Sequence, residues 1–395
     1  MTAAPRCSSC ECPDLRAVFE LRAVPVLVCS FFADRESALA CPRGDVSLWV
    51  CPACGLIENH DFDPERVVYG EGYENSLGFS ELFQGYLRTL AEDLVERHEL
   101  TGARVAEIGC GDGEFLSLLC ELGASEGLGF DPSYPTDRPA ELAGGRARVV
   151  RDVFRPAPGT LTADLVVCRQ VLEHVAAPRR FLEDVRAALE PGARPGVVFE
   201  VPNTLDTLAR TSLWDVIYEH RTYFTAGSLT RMFEAAGFEV TGAVRTYADQ
   251  YVAVEARPRG ADGHGTAAPR DVDTPEEVVA AAGRFRAASQ ERVEGWRTRL
   301  AEARAAGRRV ALWGAGARGV SFLNVADPGG TVTAVVDLND DKHGRHVAGT
   351  GQQVQAPESL VAAPPDLMVV TNPIYQDEIR AALRVLGLEP QIALA

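Results

Sequence analysis

The sequence lacks the features that would place it in several common classes of protein. It has no apolar run near the roughly 20 residues of a membrane-spanning helix, and its first residues lack the basic-then-apolar pattern of a secretion signal. Positive charge is scarce, because 39 Lys and Arg face 56 Asp and Glu, for a formal net charge of −17. Such a surface repels phosphate backbones. We therefore expect a cytoplasmic protein with neither a membrane nor a nucleic acid polymer as its partner.

What the sequence does contain is an ordinary globular composition, with 46% hydrophobic and 24% charged residues. Its 395 residues suggest two or three domains at about 150 residues each. Composition divides the chain into a cysteine-rich module over residues 1–68, a second domain over 69–256, a linker with a long helix over 257–306, and a last domain over 307–395. The oligomeric state stays open.

Buried-strand patterns alternate with helix patterns in both large domains. Runs such as VAEIG, GLGFD and GVVFEVPN predict strands, PRRFLEDVRAALEPG predicts a helix, and the pattern restarts at RVALW. Strands that alternate with helices form a parallel sheet covered on both faces. The sequence therefore predicts an α/β fold with two doubly wound, Rossmann-like domains, which a helix from Pro275 to about Ala306 separates.

Seven of the ten cysteines lie in the first 68 residues, and four of them form two CxxC pairs. Two such pairs can close a tetrahedral four-thiolate site that suits zinc, and a reducing cytoplasm keeps thiols free of disulfides. We predict a structural zinc ion, with Cys12 as a rival to Cys10. Scattered thiols or a redox pair are the alternatives. The predicted ligands are Cys7, Cys10, Cys51 and Cys54.

A glycine loop follows the first strand of the second domain. Its sequence, Glu107-Ile-Gly109-Cys110-Gly111-Asp-Gly, lets the backbone approach a ligand at the carboxyl end of the strand. Asp131 ends the next strand, where a carboxylate can accept hydrogen bonds from both ribose hydroxyls. The third glycine of a dinucleotide fingerprint is missing from the helix-packing position. The first candidates for binding a cofactor are Glu107, Gly109, Cys110, Gly111 and Asp131.

This loop resembles that of the class I S-adenosylmethionine (AdoMet) methyltransferases, over roughly residues 100–240. The sequence LEHV at 172–175 also recurs in these enzymes. In that family the loop passes under the methionine part of AdoMet and the later carboxylate takes the ribose. The resemblance implies that Asp152 contacts the adenine and that Gln170 and His174 belong to the cofactor pocket. A nicotinamide-binding domain is the alternative.

The polar segment from Asp215 to Phe224 is the most unusual part of the chain. Its histidine suits a general base, a neighbouring carboxylate can orient the imidazole, and a phenol can donate a hydrogen bond to an enolate oxygen. The alternative is a surface loop whose aromatic side chains anchor it to the core. The candidate catalytic residues are Tyr218, Glu219, His220 and Tyr223.

Together with the cysteine pairs, this segment resembles the C-methyltransferases that act on nucleotide-linked 4-keto-deoxysugars. Their signature is similar to I-Y-H-E-H-x-S-Y-F, and here it reads IYEHRTYF, one histidine shorter and with Thr for Ser. Further matches are CPACGLI at 51–57, YENS at 73–76 and WGAGARG at 313–319. The resemblance implies a zinc-binding module, an AdoMet domain to which Tyr73 and Ser76 contribute, and a C-terminal domain that holds the sugar nucleotide.

The same resemblance implies a role for each candidate catalytic residue. His220 removes the proton beside the ketone, with Glu219 and Tyr218 as helpers, and the enolate attacks the methyl group of AdoMet. His174 is a rival base, which we interpret as part of the cofactor pocket because its motif recurs in methyltransferases of different chemistry.

A complete GxGxxG loop spans residues 314–319, and Asp337 ends the following strand at the dinucleotide spacing. Taken alone, this pattern favours NAD. The resemblance implies instead a Rossmann-like domain without a nicotinamide, in which Arg318 meets a pyrophosphate with help from the helix N-terminus. The predicted substrate-binding residues are Arg318, Asn324, Asn372 and Tyr375.

The resemblance therefore implies an AdoMet-dependent C-methyltransferase for a keto-deoxysugar linked to a nucleoside diphosphate, in the biosynthesis of secondary-metabolite or polysaccharide sugars. The alternatives are an O- or N-methyltransferase for another metabolite, an NAD-dependent oxidoreductase, and a binding protein that uses the zinc module for a protein partner.

Overall fold

Two mainly parallel sheets and one antiparallel sheet carry the architecture of the chain. The computed structural model describes residues 6–69, 72–74, 76–155, 157–260 and 272–395, so most of the predicted Pro- and Gly-rich linker lies outside the described residues. No helix in that described part is both long enough and apolar enough to cross a membrane.

The antiparallel sheet belongs to the cysteine-rich module. In its strand Arg43–Val50 every second residue is buried, which is the period of a sheet with one face against a core. A short helix begins after Asp34, whose carboxylate accepts a hydrogen bond from Ser37 N. The elements are β1 (Arg16–Pro25), β2 (Phe31–Phe32), α1 (Arg35–Leu39), β3 (Arg43–Val50) and β4 (Ile57–Asn59).

The second domain contains an eight-stranded sheet. The elements of this domain are α2 (Glu81–Arg97), β5 (Arg104–Ile108), α3 (Glu114–Leu122), β6 (Glu126–Phe130), β7 (Glu141–Leu142), β8 (Ala147–Val150), β9 (Leu165–Arg169), α4 (Pro178–Ala188), β10 (Gly196–Pro202), α5 (Thr204–Arg210), β11 (Thr222–Tyr223), α6 (Ala226–Ala235), β12 (Phe238–Thr246) and β13 (Tyr251–Pro258). All of these strands except β11 belong to the eight-stranded sheet. The strand order is β12-β13-β10-β9-β5-β6-β8-β7. The five strands from β10 to β8 are parallel, and β13 runs antiparallel to both of its neighbours.

A long helix leads into the C-terminal domain. It starts with a capping box between Thr274 and Glu277 and with Pro275 in its first turn, both of which favour a helix start. The elements are α7 (Pro275–Ala305), β14 (Val310–Trp313), α8 (Ala317–Ala326), β15 (Val332–Val336), β16 (His346–Val347), β17 (Val354–Gln355), β18 (Leu367–Val370), α9 (Gln376–Val385) and β19 (Gln391–Leu394). The sheet is parallel, with the order β17-β15-β14-β18-β19.

The cysteine-rich module is joined to both large domains. It shares one hydrophobic core with α7 and the C-terminal domain, in which Phe285 and Trp296 are buried. Two short strand pairs add to this contact, because β11 extends the antiparallel sheet beside β4 and β2 pairs with β16. Tyr218 is fully buried, and its ring stacks 6.1 Å from that of Phe62. The segment that carries the candidate catalytic residues is thereby fixed to the module.

The predicted α/β architecture is confirmed, and the helix predicted from Pro275 is α7. The sequence did not predict the β12–β13 hairpin or the two strand pairs that connect the module with the domains. Partners such as β2 and β16 lie more than three hundred residues apart, so no local pattern announces their pairing.

Gly44→Ala should destabilise the protein, because a Cβ at residue 44 would lie 2.2 Å from Cε2 of Tyr218. Overpacking of this kind costs about 1–3 kcal/mol. Gly85→Ala is the matched control, since residue 85 is exposed on α2 with no atom within 4 Å of the new Cβ, and alanine should stabilise the helix there by about 0.5–1 kcal/mol. Denaturant unfolding measures both changes; equal stability of the two variants would contradict the packing of Tyr218.

Candidate active site

A cavity of about 350 Å³ lies between the carboxyl ends of strands from the two mainly parallel sheets. Gln170 follows β9 on one side, whereas Trp313 and Val370 end β14 and β18 on the other. Ligands of α/β proteins bind at this edge of a sheet. Of the predicted site residues, the cavity walls contain Tyr73, Ser76, Gln170, His174, Glu219, His220, Arg318, Asn372 and Tyr375.

The first glycine loop, Gly109–Gly113, turns between β5 and α3. Gly109 and Gly111 have φ angles of +72° and +54°, in the left-handed region that favours glycine. A Cβ at Gly109 would lie 2.1 Å from Cγ2 of Val171, so this position has no room for a side chain. At Gly111 no atom lies within 4 Å of a new Cβ. The loop therefore presents its backbone at Gly111 to open space.

Two carboxyl groups flank this loop. Asp131 accepts hydrogen bonds from Gly111 N at 2.8 Å and from Ser133 N and Oγ at 2.8 and 2.6 Å. Glu107 is buried, burial raises its pKa to about 8, and its Oε2 has no hydrogen-bond partner in the described part of the chain. A buried oxygen without a donor is costly. AdoMet carries an amine and ribose hydroxyls as donors, so these residues fit this cofactor.

The side chains of two further predicted cofactor contacts, Cys110 and Asp152, do not line the cavity. The side chain of Cys110 packs in a small apolar cluster with Tyr134 and Val149, so only its backbone is available to a ligand. Asp152 is exposed after β8, and its carboxylate accepts a hydrogen bond from Val153 N at 2.8 Å. The side chain of Asp152 therefore caps a surface turn instead of lining the cavity.

His220 forms part of the cavity wall on the side of the second domain. Its ring lies 4.8 Å from that of His174 and 5.6 Å from that of Tyr223, with the edge of one ring toward the face of the other in both pairs. Burial, with a smaller effect of the charge of His174, holds the pKa of His220 well below its usual range. The imidazole is therefore neutral at physiological pH, which is the state that can accept a proton.

His174 is held in one tautomer beside His220. Its Nδ1 lies 3.1 Å from the carbonyl oxygen of Glu219 and 3.1 Å from the hydroxyl of Tyr69. Because a carbonyl can only accept, the contact with Glu219 requires the proton on Nδ1. Burial lowers the pKa of His174 to about 4, so this imidazole is also neutral.

The carboxylate of Glu219 has partners other than the predicted one. Its Oε2 accepts from the hydroxyl of Tyr73 at 2.9 Å, and its Oε1 accepts from Val28 N of the cysteine-rich module at 3.2 Å. Burial raises the pKa of Glu219 to about 7. The prediction that this carboxylate orients the imidazole of His220 therefore needs correction: Glu219 orients Tyr73, and its backbone carbonyl orients His174.

The two predicted tyrosine helpers are also committed elsewhere. The hydroxyl of Tyr218 accepts from Asp63 N at 3.0 Å and lies 3.2 Å from the carbonyl of Asp61, outside the cavity. The hydroxyl of Tyr223 donates to the Ile217 carbonyl at 2.8 Å and accepts from Ile217 N at 3.1 Å. Both phenols anchor the segment, as the alternative interpretation expected, and neither is free to donate to a substrate.

Sequence reasoning missed two residues near the imidazoles. Glu173 is buried, its Oε2 has no partner among the described residues, and burial raises its pKa to about 8. Its carboxyl oxygen lies within 4.8 Å of ring nitrogens of both His174 and His220. The LEHV motif already contained Glu173, and the aromatic repeat at Tyr69 and Tyr73 was the available signal for Tyr69.

The wall from the C-terminal domain is polar. Arg318 forms an ion pair with Asp215 of the second domain. Asn372 exchanges two amide hydrogen bonds with Gln250, at 3.1 and 3.0 Å. Asn324 does not line the cavity, and its amide donates to the Val320 carbonyl within α8 and to the Ala348 carbonyl in the loop after β16. Its predicted role in substrate binding is therefore replaced by a structural one.

The two CxxC pairs come together at one edge of the module. The Sγ atoms of Cys7 and Cys54 are 3.5 Å apart, as are those of Cys10 and Cys51, and all four lie within 4.8 Å of one another. Cys12 is outside this group. Four thiols in one cluster are a donor set that suits zinc, so the residues fit the predicted metal. Arg231 of α6 donates to the carbonyl of Cys54 at 2.9 Å and ties the cluster to the second domain.

Two family models match the chain, one within the second domain and one over α7 and the C-terminal domain. Residues 80–243 match the model of a family described as a methyltransferase domain, and residues 277–387 match that of a C-methyltransferase C-terminal domain. The chain is 28% identical over 392 residues to C-methyltransferase NovU of Streptomyces niveus, an alignment that covers 94% of this chain and 90% of that protein.

Two further similarities cover only part of the chain. The ubiquinone biosynthesis O-methyltransferase of Xanthomonas euvesicatoria pv. vesicatoria is 32% identical over 105 residues, which is 25% of this chain and 43% of that enzyme. Among solved structures, magnesium protoporphyrin IX methyltransferase of Synechocystis with bound S-adenosylhomocysteine is 18% identical, with coverage of 50% of this chain and 93% of that one and a TM-score of 0.36.

Proposed function

This chain belongs to the AdoMet-dependent methyltransferases and carries a C-methyltransferase C-terminal domain, and we propose that it methylates a carbon atom of a keto-deoxysugar linked to a nucleoside diphosphate. The observation that carries the proposal is the cavity, because one wall presents the imidazole of His220 and the other presents Arg318. A base opposite a cation suits an acceptor that has both an acidic C–H bond and a phosphate. Similarity to a C-methyltransferase along 94% of the chain supports carbon as the acceptor atom.

The first glycine loop is the proposed site of AdoMet, which supplies an electrophilic methyl group when bound. Gly111 leaves room for the ligand, Asp131 would accept hydrogen bonds from the ribose, and the unpartnered Oε2 of Glu107 would form a hydrogen bond with the amine. The other proposed contacts of AdoMet are side chains that line the cavity, namely Tyr73, Ser76, Gln170 and His174.

His220 is the proposed general base. Carbon methylation needs a carbon nucleophile, and a ketone provides one when a proton leaves the adjacent carbon. The neutral imidazole takes that proton, and the electron pair of the broken C–H bond becomes the enolate, with its charge on the carbonyl oxygen. The enolate carbon would then form the new C–C bond with the methyl group of AdoMet while the bond between that methyl group and sulfur breaks. The electron pair of the broken bond would stay on sulfur, S-adenosylhomocysteine would leave, and the proton on His220 would return to solvent.

Glu173 is the group that we propose to stabilise the enolate oxygen. The hydroxyls of Tyr218 and Tyr223 are occupied by backbone groups, whereas Glu173 lines the cavity without a partner for Oε2. Because its pKa lies near 8, it is largely protonated at neutral pH and can donate a hydrogen bond to a developing oxyanion.

The thiol cluster is the proposed site of a structural zinc ion. Four thiolates close the coordination shell, so a metal held here has no open position for substrate. The ion would contribute folding free energy to the module that supports the candidate catalytic segment.

We expect one zinc ion per chain in protein purified without a chelator. Cys51→Ser should lose the metal and unfold the module, because one ligand of the cluster is removed. Cys12→Ser is the matched control, since this cysteine lies outside the cluster, and it should keep the ion. Elemental analysis of the three proteins checks this, and a metal-free wild type would exclude the zinc site.

Asp131→Ala should weaken AdoMet binding by about 1.5–3 kcal/mol, the scale of a lost hydrogen bond to a charged group. Calorimetry measures the affinity without any acceptor. Asp164→Ala removes the same charge just before β9, at the opposite edge of the sheet from the cavity, and should leave the affinity unchanged. Equal affinities in the two variants would mean that the ribose lies elsewhere.

His220→Ala should leave AdoMet binding nearly intact and lower turnover by roughly 10²–10⁴, the usual contribution of a positioned base. The variant should also lose solvent exchange of the proton beside the ketone, which mass spectrometry in D₂O detects.

Two results would change this assignment. If His220→Ala keeps both turnover and exchange, the base is another residue, and His174 is the first candidate because its ring lies 4.8 Å away. If exchange survives and turnover is lost, His220 positions the sugar and does not take the proton.

A further inference from the structure

Three side chains around the proposed base form a donor set of the kind that metal ions bind. A carboxyl oxygen of Glu173 and one ring nitrogen each of His174 and His220 lie within 4.8 Å of one another, and all three residues line the cavity. Donors bound to one ion at about 2.1 Å lie roughly 3–4 Å apart, so side-chain shifts of about 1 Å would bring the three to the same ion. The thiol cluster contains none of these residues.

The backbone holds the three residues together without an ion. Gln170 has a left-handed φ of +54° after β9, and a single 3₁₀ turn over Leu172–His174 follows. The carbonyl oxygen of Glu173 accepts a hydrogen bond from Arg221 N at 2.7 Å, which joins this turn to the residue after His220. Two chain segments that are fixed to each other therefore form the cluster, and no large rearrangement is needed to assemble it.

Glu173 lacks the partner that a buried carboxyl group needs. The residue is 2% exposed, and its Oε2 forms no hydrogen bond with any of the described residues. A buried polar atom without a partner is costly, and in a native structure it commonly marks a site for an ion or a ligand. A cation bound by this carboxyl group would remove that cost.

The imidazole of His174 has the hydrogen bond that is usual for a metal-binding histidine. Its Nδ1 lies 3.1 Å from the backbone carbonyl oxygen of Glu219, which requires the proton on Nδ1 and leaves the lone pair on Nε2. Metal-binding histidines typically donate from the second ring nitrogen to a carbonyl or a carboxylate. In the described part of the chain neither ring nitrogen of His220 forms a hydrogen bond, so one of them is available to the same ion.

The three donors select a class of ion. Two imidazoles and one carboxylate suit divalent transition metals such as Fe²⁺, Co²⁺ and Zn²⁺, whereas Mg²⁺ and Ca²⁺ prefer oxygen ligands. The cluster has three members among the described residues, so a bound ion would keep open positions toward the cavity.

We propose that Glu173, His174 and His220 bind one divalent transition-metal ion, and that this ion and proton abstraction exclude each other. Binding converts Glu173 to its carboxylate, whose proton passes to solvent, and no group is oxidised or reduced. The ion takes the lone pair with which His220 would remove the proton beside the ketone, so the metal-bound protein forms no enolate. This exclusion rests on the proposed function, because it requires His220 to be the base.

Cobalt(II) is the probe, because its visible absorption reports on its ligands. Full-length protein purified without a chelator, with its zinc content measured, is titrated with Co²⁺ in the absence of acceptor. We expect one cobalt ion per chain, with d–d bands and without the charge-transfer bands of thiolate ligands. The absence of saturable binding would overturn the proposal, as would a spectrum with thiolate bands alone.

Variants locate the bound ion. Glu173→Gln and His174→Gln should each weaken cobalt binding at least about tenfold, since even the outer partners of metal ligands are worth about 10–100-fold in affinity. Glu378→Gln is the matched control, because Glu378 lines the same cavity and accepts from Ser80 Oγ at 2.8 Å but does not belong to the cluster. Thermal unfolding checks that each variant folds. Equal cobalt affinities in Glu173→Gln and Glu378→Gln would contradict the site.

The exclusion is tested with a nucleotide-linked keto-sugar. Saturating Co²⁺ should abolish both methyl transfer and solvent exchange of the proton beside the ketone. Removal of the cobalt with a chelator should restore both, with elemental analysis to check that zinc is retained. Undiminished or increased turnover with cobalt bound would refute the exclusion.

These measurements separate the metal site from the proposed function. The titration needs no acceptor, so cobalt binding that depends on Glu173 supports the site even if no keto-sugar is methylated. Methylation of a keto-sugar by protein that binds no cobalt would keep the proposed function and refute this inference.

Discussion

The pairing of the two-residue strand β11 with β4 is the constraint on which the candidate active site depends. Thr222 and Tyr223 lie opposite Glu58 and Ile57, and Arg221 adds an ion pair with Glu58 at 3.0 Å. These contacts hold the residues just after His220 on the cysteine-rich module. On the other side of His220, the backbone carbonyl of Tyr218 accepts a hydrogen bond from the side chain of Asn59 in β4, and its buried ring packs against the same module. The imidazole is therefore positioned from both ends by a module outside the methyltransferase domain.

Burial sets the protonation of the cavity in a consistent direction. It lowers the pKa values of His174 and His220 and raises those of Glu173 and Glu219, so all four groups tend toward their neutral forms. The wall around the proposed base thus holds little charge of its own. The positive groups stand on the opposite wall, in the C-terminal domain, where a phosphorylated acceptor would need them. Proton transfer is thereby assigned to the wall with His220, and anion binding to the wall with Arg318.

The sequence predicted the fold and the neighbourhood of the site, but it did not predict what each side chain does there. Continuous apolar runs located the parallel strands, because those strands are buried on both faces. The motif around His220 located the cavity, yet the hydroxyl of Tyr223 is used by its own loop, and Asn324 ties two backbone segments. Whether a polar atom is already bonded depends on how the backbone around it folds, which the local residue pattern does not show.

The most direct test of the central claim is the position of the transferred methyl group. AdoMet labelled with ¹³C in its methyl group is incubated with the protein and a panel of nucleoside-diphosphate-linked keto-deoxysugars, and each product is examined by carbon NMR. Our account predicts that one of these acceptors gains the labelled methyl on the carbon beside its ketone, through a new C–C bond. A labelled methyl found on an oxygen or a nitrogen atom, or only on acceptors without a ketone, would contradict it.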